Sequence, residues 1–140
     1  ILALIKPGVA WNLLQKTCVE IITQGLVDLG LLKGKLSDLI QQKSYQKFYM
    51  HGCSHWLGLD VHDVGCYRVE KKWRSLEPDM VFTVEPGIYI SPSPDIDKKW
   101  WNIGIRIEDD VRVTQQACEV LTSQIPKDLA DIENIMRMSS

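Results

Sequence analysis

His51, His55 and His62 are all the histidines of this 140-residue chain, and they fall in one stretch: His51-Gly52-Cys53-Ser54-His55-Trp56-Leu57-Gly58-Leu59-Asp60-Val61-His62-Asp63. Near neutral pH an imidazole can move protons, ligate a metal or hold a hydrogen bond. His51 and His55 are four apart, the spacing of the helical zinc motif His-Glu-x-x-His, but Gly52 stands where that motif needs its glutamate. Gly52 and Gly58 also argue against one long helix here. On an extended chain, residues four apart again share a face. Each histidine could equally be a structural hydrogen-bonder, a reading that three in so short a stretch weakens.

Two acids far downstream add to this stretch. Glu85 directly follows the strand-like run Val81-Phe82-Thr83-Val84 and precedes Pro86-Gly87. By strand parity it shares a face with Val81 and Thr83. Glu108 lies in the alternating run Ile103 to Val113, with Arg106, Glu108 and Asp110 on one face and Ile103, Ile105 and Ile107 on the other. A glutamate on such a strand is costly to bury uncompensated, and Arg106 is placed to orient Glu108. The same patterns also describe an edge strand with Glu85 in water and a solvated face carrying an Arg106–Glu108 pair. The reading with chemical content is a metal site of one imidazole and two carboxylates, with the other histidines handling substrate. Imidazole with carboxylates suits Mn, Fe, Co or Zn better than Ca or Mg.

Other chemistries find no support. Ser54 beside His55 lacks a Gly-x-Ser-x-Gly elbow, and there is no Gly-rich phosphate loop. The net charge is −2 with no basic cluster, and the five tryptophans lack interleaved basic residues. A nucleic-acid or membrane partner is therefore not expected. Cys18, Cys53, Cys66 and Cys118 form no Cys-x-x-Cys pair and read as reduced thiols of a cytoplasmic protein.

The elements that must position these residues read as mixed α/β. Apolar Leu14, Cys18, Ile21, Ile22, Gly25 and Leu29 recur at three- and four-residue steps, predicting a helix from Trp11 to Leu29 that Gly30 stops. Ser37 is placed to cap a short helix over Asp38 to Lys43. Phe48 to Met50, Met80 to Val84, Ile88 to Ile90, the long run Ile103 to Val113 and Val120 to Thr122 read as strands. Residues 64 to 79 read as mixed and polar, with Glu77-Pro78-Asp79 as a turn, and Ser91 to Trp101 as a surface loop. A last amphipathic helix carries Leu129, Ile132, Ile135 and Met136 on one face. The hydrophobic fraction of 45% is enough for a core. Ile1 opens without a methionine on an uncapped apolar run, which reads as a piece of a longer protein.

Three long motifs at 51 to 65, 76 to 90 and 103 to 111 resemble, in order, the C-terminal part of bacterial-type aminopeptidase P (Xaa-Pro aminopeptidase). Prolidase is close at the same motifs, and Ser54-His55-Trp56 tilts the resemblance toward aminopeptidase P. The resemblance implies an α+β pita-bread fold, as in creatinase, with a curved antiparallel sheet and helices packed on one face. Residues 1–140 would be the C-terminal part of the catalytic domain, without its first half or the N-terminal domain. It implies His55, Glu85 and Glu108 as metal ligands, His51 and His62 as catalytic and substrate-binding histidines, and Tyr89 and Arg106 as a pair steadying the ligands. It further implies two ions per complete site, usually Mn²⁺, a metal-activated bridging water, peptide substrates with proline second, and a homo-oligomer. The family's two aspartate ligands lie upstream on a hairpin, and Glu20, Asp28 and Asp38 match none of it. The chain by itself is therefore expected to hold at most one ion, weakly, and to be inactive. A non-catalytic binding module of the same fold is the reading from a different class.

Overall fold

The computed structural model describes residues 1–138. After a 3-10 turn at Leu2–Leu4, helix α1 runs Trp11–Asp28. It buries Trp11, Leu14, Cys18, Val19, Ile22, Thr23 and Leu26, the three- and four-residue stripe expected of a helix lying on a core. Ile21 and Leu29, taken in by the same periodicity, are instead 59% and 50% exposed. Gly30 ends the helix at φ +74°, where its amide reaches the Val27 carbonyl at 2.9 Å. A side chain would strain that left-handed conformation.

Helix α2 is Leu36–Gln41, with Lys35 rather than Ser37 at its N-cap. The Ser37 hydroxyl is spent on the neighbouring Asp38 carboxylate at 2.9 Å, so it caps nothing. The predicted strand at Phe48–Met50 is absent. Phe48 and Tyr49 are buried in succession, which strand alternation cannot do with one dry face. Their amides turn back to the Tyr45 carbonyl, both at 2.9 Å.

Residues 64 to 79, read only as mixed and polar, contain a short antiparallel hairpin, β1 (Arg68–Val69) with β2 (Lys72–Trp73). Glu70 and Lys71 make its tight turn with positive φ, and Arg68 stacks on Trp73 at 4.2 Å. Strand β3 (Val81–Val84) and strand β4 (Gly87–Ile90) follow as expected.

The long strand predicted from 103 to 113 is two strands, β5 (Ile103–Arg106) and β6 (Asp109–Val113). They belong to different sheets: β4 pairs with β5, and β3 pairs with β6, which pairs with β7 (Cys118–Val120). The chain turns a corner at Ile107–Glu108, between the two. All pairings are antiparallel, giving an α+β fold in three small sheets. Phe82, Val84, Val111 and Val113 from the β3–β6 pair meet α1 in the core. Helix α3 (Leu129–Met138) forms as predicted but buries none of its residues. No described helix is long and apolar enough to cross a membrane.

Candidate metal centre

His55 owes its place to backbone pairing along the free edge of β3. The Glu85 amide donates to the Cys53 carbonyl at 2.8 Å, and the Thr83 amide to the His55 carbonyl at 3.0 Å. Trp56 stands opposite Phe82 in an antiparallel bridge. Alternation then sorts the side chains. Trp56 and Phe82 turn to α1, where the Trp11 ring lies 4.5 and 4.8 Å from theirs. His55, Thr83 and Glu85 turn the other way. The edge is anchored from α1 by Gln15, whose side-chain oxygen accepts from the Cys53 amide at 2.7 Å.

On that opposite face, one donor atom each from His55, Glu85 and Glu108 lies within 4.8 Å of the others. His55 Nε2 is 3.0 Å from Glu85 Oε1. Its Nδ1 is 2.8 Å from the Trp56 carbonyl, which can only accept. A proton on Nδ1 satisfies that carbonyl and leaves Nε2 facing the acids, the arrangement that outer partners impose on a ligating histidine. Glu85 is 8% exposed. Its Oε1 accepts from the Thr83 hydroxyl at 3.2 Å, and its Oε2 is 3.5 Å from the Arg106 guanidinium. Glu108 reaches in from the corner between the sheets. One borderline nitrogen donor and two carboxylates, one of them desolvated, fit a divalent transition ion.

The remaining predicted residues sit around these three. The His62 ring meets His55 edge-on, with centroids 4.4 Å apart, and His62 is exposed. Tyr89 links two others: its hydroxyl accepts from Arg106 Nε at 2.7 Å and lies 2.9 Å from His51 Nε2. The Tyr89 hydrogen bond, then the charges of Glu85 and Glu108, hold the Arg106 guanidinium above its ordinary pKa. Arg106 was expected to orient Glu108, its neighbour by parity. It pairs instead with Glu85, because the strand breaks at Ile107 and the parity does not carry across. Cys53, so close in sequence to His55, is no candidate ligand. It is buried in the core, where a hydrogen bond with Cys18, then burial, push its thiol up.

Sequence reasoning missed the Thr83 hydroxyl, the Trp56 carbonyl and Gln15 as parts of this site. For Thr83 the signal was present, since it stands two residues before Glu85 on the same strand face. A main-chain carbonyl leaves no trace in residue types, and Gln15 is one polar residue in a long helix.

The model of metallopeptidase family M24 matches residues 1–115. The Xaa-Pro aminopeptidase of Haemophilus influenzae is 52% identical over 95% of this chain and 31% of its own length. Among solved structures, Pseudomonas aeruginosa aminopeptidase PepP superposes with a TM-score of 0.93 at 55% identity, over 96% of this chain and 31% of that one. Zinc-substituted Escherichia coli aminopeptidase P in complex with product gives 0.86 at 47% identity, over 98% and 31%. The chain thus spans about a third of the length of the relatives it matches, and over that span its fold is that of the pita-bread aminopeptidases. The family implies a divalent metal, and the His55–Glu85–Glu108 cluster brings together residue types that could hold one. Matched in sequence over most of its length and in backbone over nearly all of it, the chain belongs to metallopeptidase family M24.

Proposed function

We propose that these 140 residues form the C-terminal part of the catalytic domain of an Xaa-Pro aminopeptidase, which removes the N-terminal residue from peptides with proline second. The convergence of His55, Glu85 and Glu108 within 4.8 Å carries the reading. His55 Nε2 and an oxygen from each glutamate would hold the ion, taken as Mn²⁺ after the resemblance. A bound divalent ion supplies Lewis acidity toward a water and toward the scissile carbonyl. The chain's own residues do the rest. The Trp56 carbonyl fixes the His55 tautomer, while Thr83 and Arg106 hold the two oxygens of Glu85. His62, exposed beside His55, contacts the peptide and moves a proton at its imidazole. His51, braced by Tyr89, lines the peptide pocket. The complete protein acts in the cytoplasm as a homo-oligomer. A non-catalytic module of the same fold would have no use for a desolvated carboxylate aimed at an imidazole and a second acid.

The test is hydrolysis by the complete polypeptide that carries this stretch, purified with Mn²⁺. Release of the first residue from an Xaa-Pro-Xaa tripeptide is expected, abolished by a chelator. His55→Ala should lower the rate by more than about 100-fold, the upper figure for losing only an outer partner of a metal. No cleavage by the metal-loaded protein would sink the proposal, and cleavage of Xaa-Pro dipeptides alone would make it a prolidase.

A further inference from the structure

Glu108 is the least supported of the three donors. It is exposed, and among the described residues its carboxylate receives no hydrogen bond, whereas Glu85 has Thr83 and Arg106. Its position must come from the main chain at the corner between β5 and β6. The next residue, Asp109, turns the opposite way and is buried. There its Oδ1 accepts from Lys127 Nζ at 2.5 Å and from the Thr122 hydroxyl at 2.8 Å. Lys127 also donates to the Thr122 carbonyl at 3.2 Å, and the Thr122 hydroxyl accepts from the Asp110 amide at 3.1 Å. The Asp109 side chain is shielded from water at 9% exposure, and that of Lys127 is half-buried at 27%. A charge-assisted bond to a buried carboxylate is shorter, stronger and more geometrically exacting than a neutral one.

We propose that Lys127 is a positioning residue for metal binding. With Thr122 it clamps Asp109 and so fixes the corner from which Glu108 reaches His55 and Glu85. This rests on the reading of those three residues as metal donors. Lys127 touches neither substrate nor ion; it acts through the backbone of residues 108 and 109.

The test is Co²⁺ titration of the complete polypeptide, followed by calorimetry and by the visible absorption of the bound ion, for the unaltered protein, Lys127→Met, Lys127→Arg and Thr122→Val. Lys127→Met is expected to weaken Co²⁺ binding by roughly 10- to 100-fold, as losses behind a ligand do. It should also shift the visible band, which reports ligand geometry, while Lys127→Arg restores most of the affinity. Thr122→Val, which keeps the ion pair, should show the same change in smaller measure and carries the test if Lys127→Met does not fold. Binding by these variants equal to that of the unaltered protein, or weakened binding with an unchanged band, overturns the clamp. An unaltered protein that binds no Co²⁺ overturns instead the assignment of the metal donors.

Discussion

Glu85 is held from three directions before any ion is considered: by the Thr83 hydroxyl, by His55 and by Arg106. A carboxylate this buried needs such partners, because desolvation of an unpaired charge is costly. Arg106 in turn is held by Tyr89, and Tyr89 depends on a residue with no side chain at all. A Cβ at Gly87 would come within 2.6 Å of the Tyr89 hydroxyl and 3.1 Å of the Ile105 carbonyl. The carbonyl is part of the β4–β5 ladder and cannot move aside cheaply. Gly87→Ala is therefore expected to destabilise the protein by about 1–3 kcal/mol, the usual cost of overpacking. Urea unfolding measures it, and an unchanged midpoint would show that the ring yields freely. At this scale much was legible. His55, Glu85 and Glu108 stand out by residue type against apolar surroundings, and parity placed Thr83 beside Glu85. The partner of Arg106 was not legible, since it depends on a backbone break that alternating residues conceal.

At the scale of elements, β3 is the organising piece. One edge takes β6 and the other takes the extended stretch that carries His55. Its inward residue Phe82 is fully buried, beside Trp11 of α1. Phe82→Ala should cost about 3–5 kcal/mol, the range for truncating a buried aromatic. Thermal or denaturant unfolding would show it, and a loss under about 1 kcal/mol would mean that the core closes over the gap. Helix α1, β3 and β4 could be read from periodicity because each is amphipathic or apolar in the simple way. The β1–β2 hairpin could not, because its residues are exposed on both faces and carry no alternation. Phe48–Met50 failed in the opposite sense. Apolar, strand-prone residues there serve a loop in which the consecutive Phe48 and Tyr49 both enter the core while Met50 is exposed.

Across the whole molecule, the centre offers three protein donors, one imidazole and two carboxylates. Mn²⁺ takes about six ligands, mostly oxygen, so two ions sharing three protein atoms would be held largely by water. Calorimetry on the 140-residue chain should show no more than one Mn²⁺, bound weakly. Two tightly held ions would mean that donors outside this cluster take part. The corner at Ile107–Glu108 has one more effect. Glu85 closes β3 of one sheet, while Glu108 hangs between that sheet and its neighbour. An ion held by both, as proposed, would act as a rivet through two plates and tie the sheets to one another.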